Sequence, residues 1–278
     1  MTRRVVWLIL ALGLAVSGVA HAQDASPADS PIWAKVHASL FGNAQIEPAD
    51  GVVVLDTPKR AEDAAIVPLA IRAQFPQTKE RRIETIWLII DNNPSPVAAV
   101  FTFTLESGRA DIETRVRIEE YTHVRAIART SEGKLYMASN YVKASGGCSA
   151  PAGKDAIAAK ANLGKMRLRV GDPVQAGRPT PVQLMVSHPN ESGLAMDQVS
   201  RTYATPHFVR HVEVTYRDKP VMTADVDFSI SENPNFRFYF VPDGEGELDA
   251  KVVDNHDLAF ATRLKLDSTR VGALSTTH

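Results

Sequence analysis

Short apolar runs recur about every ten residues from position 51 to position 266, each closed by a cluster of Gly, Pro, Asn or Asp, and this rhythm leaves few folds open. Residues 111–118 give the clearest case: Ile112, Thr114, Val116 and Ile118 alternate with Glu113, Arg115 and Arg117. Strict alternation is the mark of a half-buried strand with one wet face. Residues 83–90 are apolar at nearly every position, with Trp87 at the centre, and suit a strand covered on both sides. Residues 51–55, 65–71, 97–105, 123–129 and 135–142 complete a first set, with turns at 91–96 and 131–134. A second set occupies 165–170, 182–188, 208–216, 221–227, 235–241, 247–254 and 258–266. Each set is enough for one antiparallel sandwich, so the fold class expected is all-β with two β-sandwich domains. One helix is expected ahead of them, over 32–41, with Ser30 as N-cap, Pro31 at its first position and Gly42-Asn43 as its stop.

The first 22 residues read differently. Arg3 and Arg4 precede an apolar run over 5–19, which ends in Ala20-His21-Ala22. A basic start, a short apolar stretch and small residues at the cut describe a secretory signal peptide cleaved after Ala22. The chain is therefore expected in the periplasm, with no membrane insertion after cleavage. Losing Arg3 and Arg4 takes the formal charge from −1 to −3, and no basic stripe suggests nucleic acid.

Between the two strand sets the composition breaks. Residues 144–164 contain almost no large apolar side chain, so they cannot bury themselves and read as a linker. Within it lies Ser145-Gly146-Gly147-Cys148-Ser149-Ala150-Pro151-Ala152-Gly153, with the only cysteine of the chain. Exported proteins normally hold cysteines in disulfide pairs, so a solitary thiol asks for a reason. Gly146, Gly147 and Gly153 free the backbone, and about ten residues on either side, at ~3.3 Å each, allow a swing of up to ~30 Å. A buried structural cysteine is not expected, because no apolar periodicity around Cys148 builds a pocket for it, and three readings stand: a carrier thiol, a cysteine for an intermolecular disulfide, and an incidental one. The carrier reading requires an exposed, movable sulfhydryl; a sulfur walled in by packed hydrocarbon would end it.

No other group offers catalysis. His207 and His211 are four apart, but the alternation around them is that of a strand, and no ligand set completes a metal site. His188 precedes a proline in a turn and reads as a hydrogen-bonding residue. Asp225 and Asp227 fall on one strand, on its solvent face. No Ser-His-Asp signature, phosphate loop or nucleotide fingerprint occurs.

The arm resembles the Gly-Gly-Cys-Gly-Gly swinging arm of SoxY, the sulfur-carrying subunit of periplasmic thiosulfate oxidation. Arg125-Ala126-Ile127-Ala128-Arg129-Thr130 and the strands around it are similar to the SoxY domain. His188-Pro189-Asn190-Glu191-Ser192-Gly193, and Ile230-Ser231-Glu232-Asn233-Pro234 with Phe236-Arg237-Phe238, are similar to motifs of SoxZ. The whole resembles a fused SoxYZ-like carrier of the quinoprotein dehydrogenase-associated type. That resemblance implies two immunoglobulin-like sandwiches, at 30–143 and 165–267, joined by the arm at 144–164. It also implies covalent attachment of sulfur intermediates to Cys148, with no resident cofactor and no catalytic constellation. The implied partners are periplasmic redox enzymes of sulfur oxidation or a quinoprotein dehydrogenase system. A non-catalytic docking role beside such a dehydrogenase is the alternative. Two departures stand out: the arm is tethered at both ends, and Ser149 and Ala150 replace the glycines after the cysteine.

Overall fold

The computed structural model describes residues 30–151, 161–196, 200–267 and 271–272. The expected signal peptide, and residues 152–160 of the linker with Gly153 among them, lie outside the described residues. Helix α1 (Pro31–Phe41) starts as expected, with Ser30 Oγ accepting the Trp33 amide hydrogen at 3.1 Å. The first half holds β1 (Ile46–Pro48), β2 (Val53–Asp56), β3 (Val67–Ala73), β4 (Ile83–Ile90), β5 (Val97–Phe103), β6 (Ile112–Val116), β7 (Thr122–Thr130) and β8 (Leu135–Val142). The second holds β9 (Met166–Val170), β10 (Val174–Gln175), β11 (Thr180–Val186), β12 (Val209–Tyr216), β13 (Lys219–Val226), β14 (Asn235–Phe240), β15 (Gly246–Asp254), β16 (Ala259–Leu266) and β17 (Val271–Gly272). The all-β class with two immunoglobulin-like sandwich halves is the fold observed.

The halves do not hang from a linker as separate beads. One sheet runs β1-β8-β7-β4-β5-β13-β12-β15-β16, and the facing sheet runs β2-β3-β6-β14-β11-β9. Both therefore cross from the first half into the second. The junction in the larger sheet is an antiparallel ladder from Met222↔Phe103 to Val226↔Ala99. In the smaller sheet it is Arg237 opposite Glu113. Inward residues of both halves form one apolar cluster, and Phe101 meets Phe236 edge to face at 6.4 Å between centroids.

Strand β4 is covered on both sides, and the structure supplies the cover. Ile86, Leu88 and Ile90 enter the main core, whereas Ile89 joins Trp33, Ile127 and Leu135 in a second cluster. Helix α1 supplies that cover, with Phe41 edge-on to Trp87 at 5.2 Å. Beneath it Arg125 is fully buried, with Nε and Nη2 donating to Asp91 at 2.8 and 2.6 Å. Its guanidinium carbon stands 4.5 Å from the centroid of the Trp33 ring.

Candidate carrier site

The site is built on the three residues after β6, which lose strand pairing and run between the two halves. The Arg117 amide donates to Ser229 O at 2.7 Å, that of Ile118 to Ala64 O at 2.9 Å, and that of Glu119 to Asn93 Oδ1 at 2.9 Å. Asn93 Nδ2 completes the brace by donating to Arg117 O and Ser229 Oγ at 2.8 and 3.0 Å. The turn read at 91–96 thus has a second task, which is to hold this shelf.

The arm lies on the shelf. The Gly146 amide donates to Glu119 O at 2.8 Å and the Gly147 amide to Ile118 O at 2.9 Å. Gly146 has φ +83°, in the left-handed region that favours glycine. Gly147 approaches the opposite backbone so closely that an added Cβ would stand 2.0 Å from Ala64 O. In this conformation the two glycines serve seating rather than swing. Glu119 then grips the next two residues. Its Oε2 accepts the amide hydrogens of Cys148 and Ser149 at 2.8 and 3.1 Å, and its Oε1 accepts Ser149 Oγ–H at 2.9 Å.

The expected water-facing sulfhydryl is not what the structure shows: Cys148 is 0% exposed. The thiol is pushed up from 9.0 to about 12, first by burial and then by the Glu119 carboxylate, with Arg117 opposing and Asp227 adding to the rise. A docked Cys148 is therefore a neutral thiol and no nucleophile. The reason sequence misjudged it is physical. Polar and glycine-rich chain can be buried when its peptide groups find partners, and here the Glu119 carboxylate, two backbone carbonyls, the Arg117 guanidinium and the Ser192 hydroxyl supply them. Cys148 counts among the buried residues of the core but joins neither of the two apolar clusters. Hydrogen bonds to its backbone N–H and C=O hold the segment in place, and these can be exchanged for water.

The second half closes the dock. Ser192 Oγ donates to Cys148 O, while Arg117 Nη1 donates to Gly147 O at 3.2 Å and Nη2 to Asn190 O at 3.4 Å. The alternation of β6 places Arg117 in water, yet it is 2% exposed, because the strand stops at Val116 and the 188–193 turn covers the residue beyond its end. Asp227 also departs from the expected solvent face. It lies just past β13 and accepts Ser95 Oγ–H at 3.1 Å, and burial raises its pKa.

His188 acts as the hydrogen-bonding turn residue expected of it. Its Nδ1 accepts the Asn190 amide hydrogen at 3.1 Å, so the ring proton sits on Nε2 and faces Asp254 Oδ2 at 3.5 Å. His207 Nε2 reaches the same oxygen at 2.7 Å, and Oδ1 accepts the His256 and Leu258 amides at 2.9 Å each. His188, His207 and Asp254 are close enough to bracket a cation. A metal on His188 Nε2 would move the ring proton to Nδ1, against the Asn190 N–H, so the arrangement is that of a carboxylate shared by two imidazoles. Burial, then His207, lowers His188 to about 4. Burial alone would raise Asp254, but its hydrogen bonds outweigh that and lower it. His211 is not part of this group; its Nδ1 pairs with exposed Asp225 at 2.7 Å. The spacing of His207 and His211 therefore carries no joint site.

Sequence reading singled out Cys148, Gly146 and Gly147, but not Glu119, Arg117, Asn93 or Ser192. Only the 188–193 motif signalled that its turn matters, and nothing local shows that a carboxylate 29 positions before the cysteine grips it. No curated protein matches the chain. Among solved structures, the sulfur carrier protein SoxY from Chlorobium limicola f thiosulfatophilum is similar at 24% identity and TM-score 0.34, covering 41% of this chain and 96% of that one. A superoxide reductase (neelaredoxin) from Ignicoccus hospitalis is similar at 19% identity and TM-score 0.28, covering 41% and 86%. The family model "Sulfur oxidation protein SoxY" matches residues 37–148, and "Sulphur oxidation protein SoxZ" matches residues 167–265. The chain belongs to the SoxY/SoxZ family of sulfur-oxidation carriers, with both members fused in one polypeptide.

Proposed function

We propose that this protein carries sulfur-compound intermediates covalently on Cys148 in the periplasm and presents them to redox enzymes of sulfur oxidation. The observation that carries the reading is that the SoxY match ends on Cys148, the only cysteine, directly after Gly146-Gly147. Loading joins a sulfur anion to Cys148 Sγ, with the thiol proton released to water and two electrons passed to a partner redox enzyme. Since the docked thiol is neutral and covered, a partner must first meet an undocked arm, in which the thiol regains its ordinary acidity. The protein itself supplies scaffold, dock and attachment point, and no catalytic constellation.

The buried sulfur also favours a second reading, in which the thiol stays idle and the protein serves as a docking module for a quinoprotein dehydrogenase. Intact-mass spectrometry of protein purified from cells grown on reduced sulfur compounds separates the two. Added mass of sulfur or sulfonate groups, lost in Cys148→Ser, is the expected result. An unmodified thiol under every sulfur regime would overturn the carrier reading in favour of the docking one.

A further inference from the structure

The dock treats an empty and a loaded arm differently. Cys148 is 0% exposed, the Gly147 backbone is at contact with Ala64 O, and both oxygens of Glu119 are occupied by Cys148 and Ser149. Atoms added to Sγ in a close-packed interior displace something. The sulfur also sits in the field of two carboxylates, Glu119 and Asp227, against one guanidinium, Arg117. That guanidinium is already engaged by the carbonyls of Gly147 and Asn190. Burial first, and then the balance among these charges, opposes negative charge on the sulfur, so the thiol there holds its proton.

Resting on the carrier reading, we propose that the dock is a load sensor: it seats the arm while Cys148 is a free thiol and releases it once the sulfur bears an anionic adduct. Glu119 performs both halves of the task. Its carboxylate accepts three hydrogen bonds from the empty arm, and the same charge repels a sulfonate or persulfide anion placed on the neighbouring sulfur. An empty carrier thus hides its thiol from oxidants, and a loaded one extends its cargo to the next enzyme. Nothing in the switch requires a ligand elsewhere on the protein, because the cargo is itself the signal.

Synthetic adducts test this without any partner enzyme. Sulfonatoethyl methanethiosulfonate converts Cys–SH to Cys–S–S–CH2CH2–SO3− and releases methanesulfinic acid; methyl methanethiosulfonate leaves a neutral Cys–S–S–CH3 in the same way. Full-length protein is loaded at pH 9.5, returned to pH 7, and its amide hydrogen exchange is followed by mass spectrometry on peptides covering residues 144–151. Free-thiol protein should protect the Gly146, Gly147, Cys148 and Ser149 amides, whereas the sulfonate adduct should exchange them at least tenfold faster than the methyl adduct does. In Glu119→Gln the difference between the two adducts should shrink. Protection of the sulfonate adduct equal to that of the free thiol would overturn the proposal, as would equal exchange of the two adducts. Neither result touches the carrier reading, which is judged separately by adducts formed in cells.

Discussion

At the scale of single residues, the central fact is a thiol made inert by its seat. A docked pKa of about 12 against 9.0 for a free cysteine means that docking favours the protonated sulfur. The docked state therefore keeps its full advantage below about pH 9 and loses it as pH rises towards 12. Alkylation of Cys148 by iodoacetamide, which needs thiolate, should accordingly proceed only through the open fraction. Its rate should climb about tenfold per pH unit and keep climbing past pH 9. Gly147→Ala provides the contrast. Its Cβ would stand 2.0 Å from Ala64 O, so the arm cannot seat, and the left-handed position at Gly146 is untouched. The variant should react faster at neutral pH by roughly 10- to 100-fold, the equivalent of about 1.4–2.8 kcal/mol of lost docking, and its profile should level off near pH 9. A wild-type profile that also levels there would show that the thiol is not held as the structure has it. The glycines were legible as important; their use as fitted contacts was not, because close approach is a property of two segments and sequence displays only one.

At the scale of elements, the strand rhythm translated almost directly into β2–β9 and β11–β16, with ends that coincide or shift by at most two residues. Helix α1 was equally readable from its Ser30-Pro31 start. What alternation could not show is the exception inside an element. Arg125 sits between Val124 and Ala126 in the buried strand β7, and its burial is explained by Asp91 beside it and Trp33 above. Replacing it with Leu would leave Asp91, 1% exposed, without its counter-charge. We expect a loss of about 3–5 kcal/mol in urea unfolding, with little change in the slope of the transition. A loss below ~1 kcal/mol would mean that Asp91 finds water or another partner. Strand β1 was missed altogether. It is three residues long and pairs in parallel with β8, and so short an element has no periodicity to read.

At the scale of the whole molecule, two sandwich halves share both sheets across one junction. The five-pair ladder between β5 and β13, the Phe101–Phe236 contact and a core common to both halves should hold them together without a covalent link. A protease site inserted between Gly153 and Lys154 tests this. After cleavage the two fragments should elute as one species in size exclusion and separate only in denaturant. Separation in native buffer would show that the junction is a weak interface that depends on tethering. The same junction forms the dock, since Asn93 and residues 117–119 come from the first half and Ser229, Ser192 and Asn190 from the second.

Sequence by itself determined most of the strands, the two-part division, the helix and the single cysteine, because each of these is set by local periodicity, turn chemistry or residue type. Tertiary structure alone decided that the Cys148 sulfur is covered, which carboxylate grips the backbone beside it, and that the halves are continuous. These depend on which peptide groups and charges meet across long stretches of chain, and no spacing along one strand encodes that meeting. A glycine-rich stretch is free in isolation. It becomes a seated arm only when a shelf built from residues 93, 117–119 and 229 stands opposite it.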